Sequence, residues 1–340
     1  MTEQTHRAIG MTATTAAPGP ESFEERQVPT PAPTGHDLLV EVHAISMNPI
    51  DTKQRRSVDP NGFRVLGYDA AGVVTAAGQS VDGFAVGDEV MFSGQLNRDG
   101  SNQQQQLVDS RLVARAPRGL SWAERASLPL VSITAYECLM VSLGLTAESR
   151  GTLLVNNATG GVGSAMLQLA DALLPNVTVI ATASTDERAA FVTDLGAEHV
   201  VNHRGDLAEQ VLAIAPNGVD WVFSSKSEGM GPVFAQLLRP RGHIVAIDEI
   251  SELTDLMALK QKSITWHWES MFTRPLFQDD ADKAEQGRLL THVTELVESG
   301  RMRPVVSEVL SPISVDTLAQ AHQRSETGST LGKVALNGWQ

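Results

Sequence analysis

From about residue 129 onward, the sequence alternates short apolar runs with longer amphipathic ones, a pattern that few folds accommodate. Each apolar run is rich in β-branched residues or leucine, and the stretch after it has apolar residues at helical spacing. The apolar runs cover residues 152–156, 177–183, 199–202, 220–224 and 242–247. These five β-α steps with short connections predict a parallel sheet with helices on both faces, the doubly wound α/β arrangement of a Rossmann domain.

The first 128 residues have a different texture. Segments 37–47, 72–78 and 87–92 are short, alternate apolar with polar residues, and are separated by glycine and proline. This pattern predicts a β-rich lobe. Near the end of the chain, a long helical pattern runs from about Asp282 to Glu298, and the final segment contains LGKVALN.

The first β-α connection carries an incomplete dinucleotide-binding motif, in which Ala158, Gly160 and Gly163 occupy the three glycine positions. We expect Gly160 to let the backbone approach a pyrophosphate, and Gly163 to let helix and strand pack closely. A glycine-rich turn without a ligand is the alternative. The candidate nucleotide ligands of the turn are Ala158, Thr159, Gly160, Gly161, Val162 and Gly163.

The end of the second strand bears on the choice of nucleotide, because NAD-specific sites bind the ribose there with an acid. That position is Ala183, followed by Ser184 and Arg188, which would offer a 2′-phosphate a hydroxyl and a cation. His203 is a further candidate ligand of the 2′-phosphate, and the alternative is a surface histidine without a ligand. Asp186 is the opposing observation, but the helix dipole also explains an acid in a first helical turn. We therefore predict NADPH rather than NADH.

Bulk composition limits the class of partner. The formal net charge is −14, which disfavours phosphate backbones and anionic membranes, so we expect neither nucleic acid nor a membrane as partner. The single cysteine, Cys138, excludes internal disulfides and indicates a reducing compartment. A polar N-terminal stretch, and no uninterrupted apolar run of about 18 residues, predict a cytoplasmic protein.

Several motifs resemble those of the medium-chain dehydrogenase/reductase superfamily, over essentially the whole chain. They are SMNPIDTKQR, VLGYDAAGVVTAAG, VGDEVMF, LPLVSITAYECL, NATGGVGSAMLQLA and TLGKVAL. The sequence is most similar to the quinone-oxidoreductase branch, and within it to zinc-type alcohol dehydrogenase-like proteins. The resemblance implies a GroES-like catalytic domain at residues 1–128, an NADP-binding Rossmann domain at 129–271, and a C-terminal segment at 272–340 that completes the catalytic domain.

The zinc ligands of this family are not matched. Zinc-containing members have Cys, His and Cys at the positions that here are Asn48, Tyr68 and Leu130. An amide, a phenol and an isobutyl group do not make the three-ligand site that catalytic zinc requires. The lobe in which some members bind a structural zinc with four cysteines is excluded as well, because Cys138 is the only cysteine. We therefore predict no metal.

The resemblance implies NADPH-dependent reduction of quinones or α,β-unsaturated carbonyls, which needs donors near the substrate oxygen rather than a Lewis acid. By matching motif, Asn48 is expected to donate to that oxygen, and Asp51 to hold its loop by hydrogen bonds. Tyr68 is the candidate proton donor. The alternatives are that Tyr68 only packs in the structure, and that the proton comes from solvent. Lys53 replaces a tyrosine that is frequent in the branch, so no contact is carried over from that position.

The resemblance also implies cofactor contacts beyond the glycine turn, and these are Thr134, Ser224, Ala246, Ile247, Phe272 and Lys333. Thr134 is expected near the nicotinamide ribose or carboxamide. The residues that end the fourth and fifth strands belong at the carboxyl edge, where ligands bind in such sheets. Phe272 and Lys333 match positions that line or close the cofactor cleft, with a core phenylalanine and a solvated lysine as the alternatives.

Trp266 and Trp268 lie in a β-like stretch that fits an edge strand, where related proteins pair their sheets. The resemblance therefore implies a homodimer. Two other functions stay open from the sequence: a zinc-containing alcohol dehydrogenase, and an NADPH-binding protein with a sensing or structural role and no turnover.

Overall fold

The computed structural model describes residues 4–277, 280–328 and 330–339. The chain divides into two compact units: unit 1 comprises Met1–Ile133 and Phe272–Gln340, and unit 2 comprises Thr134–Met271. No helix among the described residues is both long enough and apolar enough to cross a membrane.

The strands, numbered along the chain, are β1 (Thr5–Met11), β2 (Glu24–Pro29), β3 (Asp37–Ser46), β4 (Arg64–Val65), β5 (Ala70–Ala77), β6 (Glu89–Phe92), β7 (Gln105–Asp109), β8 (Val113–Arg115), β9 (Gly151–Asn156), β10 (Val177–Ala183), β11 (His199–Asn202), β12 (Val219–Ser224), β13 (Leu238–Ala246), β14 (Thr265–Trp268), β15 (Val306–Leu310) and β16 (Lys333–Asn337). The α-helices are α1 (Pro49–Ser57), α2 (Trp122–Ala126), α3 (Pro129–Tyr136), α4 (Gly161–Leu173), α5 (Asp186–Asp194), α6 (Leu207–Ile214), α7 (Gly231–Leu237), α8 (Thr273–Phe277), α9 (Asp280–Glu298) and α10 (Val315–Thr327). Shorter 3-10 segments cover Pro20–Ser22, Ser110–Leu112 and Leu253–Lys262, and a π-helical turn, Glu137–Ser142, follows α3.

Unit 2 is built on a six-stranded sheet in the order β11-β10-β9-β12-β13-β14, with every neighbouring pair parallel. The predicted α/β class with a Rossmann-type sheet is therefore confirmed. The strand order reverses between β9 and β12, and ligands of such sheets bind outside the carboxyl ends at that point. β13 begins at Leu238 rather than at residue 242, because Leu238 pairs with Val219 ahead of a register irregularity.

The helices of unit 2 begin where their sequences provide N-caps. Thr185 accepts from the backbone N–H of Arg188 at the start of α5, and Asp206 accepts from that of Glu209 at the start of α6. These side chains satisfy N–H groups that have no acceptor within the helix. Packed against the sheet, the apolar faces of the helices close a core that includes Leu154, Ile180, Val211, Val222, Phe234, Leu237 and Ile244.

The outer strand β14 pairs with β13 and is the last strand of its sheet, as the sequence predicts. Trp268 remains 54% exposed there. An exposed edge strand presents unpaired backbone groups to a partner strand. Pairing with a second copy of the chain stays a prediction.

Unit 1 contains a mainly antiparallel sheet in the order β15-β16-β3-β5-β6-β8, with β7 also paired to β3, and a small sheet in the order β2-β1-β4. The predicted β-rich lobe is confirmed. The C-terminal strand β16 pairs antiparallel with β3, with Ala335 opposite Ser46. This pairing brings Lys333, near the end of the chain, next to Met47 and Asn48, nearly 300 residues earlier, where Met47 N–H donates to Val334 O at 2.9 Å.

Candidate active site

The glycine turn follows the carboxyl end of β9, beside the reversal of strand order. Asn157 opens the turn with a φ of 63°, in the left-handed region that asparagine tolerates. A Cβ on Gly163 would come within 2.6 Å of the Ala158 carbonyl oxygen. Only glycine therefore permits this contact between helix and turn, which is the packing role that the motif assigns to the position.

Gly160 has the opposite surroundings. It is extended, with φ −76° and ψ 173°, and a Cβ there would meet only Asn157, at 3.8 Å. The helix α4 begins at the next residue, and the N–H groups of its first turn have no acceptor within the helix. A helix start behind an open glycine turn offers an anion these N–H groups and the positive end of the helix dipole.

Arg188 is directed towards the glycine turn. Its Nη1 donates to Thr159 Oγ1 at 2.8 Å, and Thr159 is one of the predicted turn residues. Ser184, at the end of β10, is half-buried, whereas Asp186 lies exposed in the first turn of α5. The structure therefore brings the cation, rather than the acid, to the turn.

His203 and Arg204 follow β11, and Lys226 follows β12 at the same edge of the sheet. Partial burial, and then the positive charges of Arg204, Lys226 and Arg188, hold the pKa of His203 below its usual value. His203, predicted from sequence, thus lies in a group of basic side chains. The sequence analysis does not predict Arg204 and Lys226, although Arg204 directly follows His203, and Lys226 lies two residues after Ser224.

The other predicted residues of unit 2 are placed as follows. Ser224 is fully buried at the end of β12, and its Oγ accepts from Asn156 Nδ2 at 3.2 Å. Ala246 ends β13, and Ile247 N–H donates to Ser224 O at 3.1 Å. Thr134 is 5% exposed in α3. Ser224, Ala246 and Ile247 thus lie together at the carboxyl edge, and their contacts with a cofactor stay predictions.

In unit 1, a buried polar cluster surrounds Asp69, which is fully buried. Asp69 Oδ2 accepts from Ser46 Oγ at 3.0 Å, Asn48 Nδ2 at 2.8 Å and Lys333 Nζ at 3.0 Å, while Oδ1 accepts from Leu130 N–H at 2.8 Å. Burial raises the pKa of Asp69, while the charge of Lys333 and the hydrogen bonds from Asn48 and Leu130 oppose the rise and stabilise the ionised form.

Lys333 supplies the cation of this cluster and is 5% exposed. Its Nζ donates to Met47 O at 2.8 Å, to Asp69 Oδ2 at 3.0 Å, and to Asn48 Oδ1. All three ammonium protons therefore have acceptors within unit 1. This replaces the solvated lysine considered from sequence, and the predicted cofactor contact of Lys333 would require one of these bonds to break.

Asn48 is 1% exposed, and its side-chain amide likewise has hydrogen-bond partners within the cluster. Its Nδ2 donates to Asp69 Oδ2 at 2.8 Å and to Ser46 O at 3.3 Å, and its Oδ1 accepts from Lys333. The expected donation from Asn48 to a substrate oxygen would have to replace the longer of these bonds. That role stays a prediction, and the observed role of Asn48 is to join Asp69, Lys333 and the start of α1.

Asp51 lies in the first turn of α1, where its Oδ2 accepts from Asn48 N–H at 2.9 Å, the loop-holding bond that the sequence predicts. Its other oxygen, Oδ1, is buried and has no hydrogen-bond partner among the described residues. Burial raises the pKa of Asp51 to about 7; the charge of Asp69 adds to this, while the bond from Asn48 and the charge of Lys333 oppose it. Asp51 therefore exchanges its proton near neutral pH.

Tyr68 is 1% exposed and packs edge to face on Phe272, with 5.5 Å between ring centroids. Phe272 is itself buried, which agrees with the core alternative for that residue. Burial, and then the charge of Asp51, raise the pKa of Tyr68 to about 12, against the effect of Arg64. The phenol therefore keeps its proton at neutral pH and can donate a hydrogen bond. Its packing against Phe272 also matches the alternative considered from sequence, that Tyr68 has a packing role.

The donor set does not fit a zinc ion. Of the three family positions, Leu130 offers only its backbone N–H, Tyr68 is a protonated phenol, and the Asn48 oxygen is bound to Lys333. Catalytic zinc needs three nitrogen, sulfur or carboxylate ligands. Among the described residues, no group of three or more His, Cys, Asp and Glu side chains is placed to hold a metal ion.

Comparison with known proteins identifies the family of the chain. The zinc-binding dehydrogenase family matches residues 195–336, and the alcohol dehydrogenase GroES-like domain matches residues 34–132. A zinc-type alcohol dehydrogenase-like protein of Staphylococcus epidermidis is 40% identical over 336 residues, which are 97% of this chain and 99% of the relative. A solved structure from Rhizobium etli, provisionally named a zinc-dependent alcohol dehydrogenase, is 41% identical, covers 99% of both chains and has a TM-score of 0.94.

Two further relatives carry names of reductive enzymes. The 2-methylene-furan-3-one reductase of Solanum lycopersicum is 30% identical over 92% of this chain and 74% of its own length. The quinone oxidoreductase of Lama guanicoe is 28% identical over 94% of each. The fold and these matches define an oxidoreductase with a nicotinamide-dinucleotide-binding fold. The chain belongs to the medium-chain dehydrogenase/reductase superfamily and, within it, to the zinc-type alcohol dehydrogenase-like proteins, which confirms the resemblance of its motifs.

Proposed function

We propose that the protein is an NADPH-dependent, zinc-independent reductase of quinones or α,β-unsaturated carbonyls. The observation that carries the proposal is the cluster around Asp69, in which the Lys333 ammonium binds the carboxylate and the Asn48 amide. Alcohol oxidation depends on a Lewis acid or a strong base to develop alkoxide character. The residues at the family's zinc positions do not form a ligand set for such a Lewis acid. Reduction chemistry that needs no metal therefore fits the site better.

Reduction of a conjugated carbonyl or quinone makes smaller demands on the protein. When bound, reduced nicotinamide supplies a hydride to the electron-poor carbon, which leaves negative charge on the substrate oxygen. The protein then has to stabilise this charge with hydrogen-bond donors and to provide a proton. Asp51 carries an exchangeable proton near neutral pH, and Tyr68 is a protonated phenol whose pKa the charge of Asp51 raises, so this pair is the proposed proton source.

The proposed nucleotide site is the carboxyl edge of the sheet in unit 2. The open turn at Gly160 and the start of α4 would hold the pyrophosphate, and Arg188 beside Thr159 would bind the 2′-phosphate. The names of the plant reductase and the quinone oxidoreductase support the substrate class. The proposal includes the division at residues 128 and 271 expected from sequence, a cytoplasmic location, and a homodimer through β14.

The proposed activity is tested by following NADPH oxidation against a panel of quinones, enones, aldehydes and ketones. We expect turnover of the quinones or enones, preference for NADPH over NADH, and no loss of activity after dialysis against a chelator. Metal analysis of the purified protein should give far less than about one zinc per chain. One stoichiometric zinc with chelator-sensitive alcohol oxidation would instead support the alcohol dehydrogenase. Tight NADPH binding without turnover of any substrate would support a sensing or structural role.

The phosphate role of Arg188 gives a separate prediction. Replacing Arg188 with glutamate should lower kcat/KM for NADPH by about 100-fold, because a charge-assisted contact is lost and repulsion is added. The value for NADH should change by less than about threefold. Arg150→Glu is the matched control, since Arg150 is an exposed arginine of the same unit. Equal losses for both nucleotides, or none, would refute the assignment.

A further inference from the structure

Basic side chains gather at the carboxyl edge of unit 2, although the chain carries a formal net charge of −14. Arg204 and Lys226 are exposed, and both are close enough to His203 for their charges to lower its pKa. Among the described residues, no carboxylate forms an ion pair with Arg204, Lys226 or His203. Positive charges collected without counter-charges favour an anion at that place.

Three carboxylates in or bound to the loops that carry Arg204 and Lys226 bind other groups. Asp206 accepts from Glu209 N–H at 2.9 Å as the N-cap of α6. Asp248 accepts from Ser227 N–H at 2.5 Å and from Ser227 Oγ at 2.7 Å. Glu228 accepts from Ser251 N–H and from Ser251 Oγ, both at 2.7 Å. Local carboxylates therefore fix the loops and do not neutralise the cations.

The loop after β12 is also tied to the glycine turn. Asn157 Nδ2, in the turn, donates to Ser225 Oγ at 3.0 Å. Asn156 Nδ2 donates to Lys226 O at 3.0 Å, and Lys226 N–H donates to Ser224 Oγ at 3.3 Å. These bonds fix the backbone of Lys226 beside the turn. The Lys226 side chain therefore starts from a defined position at the nucleotide-binding edge, although it belongs to another β-α connection than Arg188.

We propose that Lys226 and Arg204 act with Arg188 as specificity-determining residues that bind the 2′-phosphate of NADPH. Cations from the first turn of α5, after β10, and from the loops after β11 and β12 then surround one dianion. This inference rests on the proposed use of NADPH and adds two residues that determine it. Lys226 also lies near the part of the turn proposed for the pyrophosphate, so the test has to separate the two phosphate positions.

The test is isothermal titration of the full-length protein with two probes, 2′,5′-ADP and 5′-AMP, which differ only by the 2′-phosphate. For Lys226→Ala and for Arg204→Ala, we expect affinity for 2′,5′-ADP to fall by about 10-fold or more, the effect of one charge-assisted hydrogen bond. Affinity for 5′-AMP should change by less than about twofold. Both residues are exposed, so neither substitution removes core packing. Lys260→Ala, which removes an exposed lysine elsewhere in unit 2, should leave both affinities unchanged.

Each other result has a distinct meaning. If the wild type prefers 2′,5′-ADP but both variants keep that preference, Lys226 and Arg204 are not specificity residues and the proposed use of NADPH stands. An equal loss for both probes would place Lys226 at the 5′-phosphate, on the pyrophosphate side, and overturn the inference. A wild type without preference for 2′,5′-ADP would overturn both the inference and the use of NADPH.

Discussion

Lys333→Met is expected to lower the free energy of unfolding of unit 1 by about 3–5 kcal/mol, because it leaves the buried Asp69 carboxylate without its cation. Lys333 and Asp69 are 5% and 0% exposed, so water cannot replace the lost charge. Methionine keeps most of the side-chain volume, which limits the contribution of a cavity. Calorimetry should show a fall in Tm on the order of 10 °C for the transition in which unit 1 unfolds.

The double variant Lys333→Met/Asp69→Asn separates charge from packing. Because it leaves no uncompensated charge, it should recover most of the lost stability, as when both members of a buried ion pair are replaced. Lys260→Met, at an exposed lysine, should stay within about 0.5 kcal/mol of the wild type. If Lys333→Met behaved like Lys260→Met, the ion pair would contribute nothing to the stability of unit 1.

Much of the fold follows from local pattern. The runs at residues 177–183 and 199–202 match β10 and β11 at both ends, because turns and helix caps bound them. The connection through Gly160 and Gly163 can also be predicted from sequence, since Gly163 meets a local steric requirement and Gly160 leaves the turn open. Sequence periodicity and turn chemistry are local properties, and they predict those features that depend only on neighbouring residues.

The buried cluster could not be predicted in the same way. Asp69 and Lys333 are 264 positions apart, and the pairing of β3 with both β5 and β16 brings them together. A lysine in an alternating strand looks like a solvated charge until its partner is known. The group of cations at Arg188, Arg204 and Lys226 likewise forms because the segments after β10, β11 and β12 meet at the carboxyl edge of the same sheet. Long-range pairing, rather than composition, decides which charges become buried or share a site.

The titration of Asp51 links the stability of the protein to pH. Its pKa in the folded protein is raised from 3.8 to about 7, so the folded state binds this proton more tightly than the unfolded chain does. Stability therefore falls as pH rises from about 4 to about 7, since ionisation of the buried carboxyl opposes folding. Asparagine keeps the shape and the acceptor for Asn48 N–H but does not ionise. Relative to the wild type, Asp51→Asn should gain about 1 kcal/mol per pH unit between pH 5 and pH 7.

The same proton provides the sharpest test of the proposed chemistry. If Asp51 supplies the proton, directly or through Tyr68, the kcat of the wild type should fall by about tenfold per pH unit above pH 7, as the carboxyl ionises. Asp51→Asn should lower kcat by about 100-fold at pH 6 and remove this fall, leaving KM for NADPH nearly unchanged. Asp82→Asn, at an exposed aspartate of the same unit, should keep the wild-type profile. A purely structural Asp51 would change kcat without altering the shape of the pH profile, and the proton would then come from Tyr68 without Asp51, or from solvent.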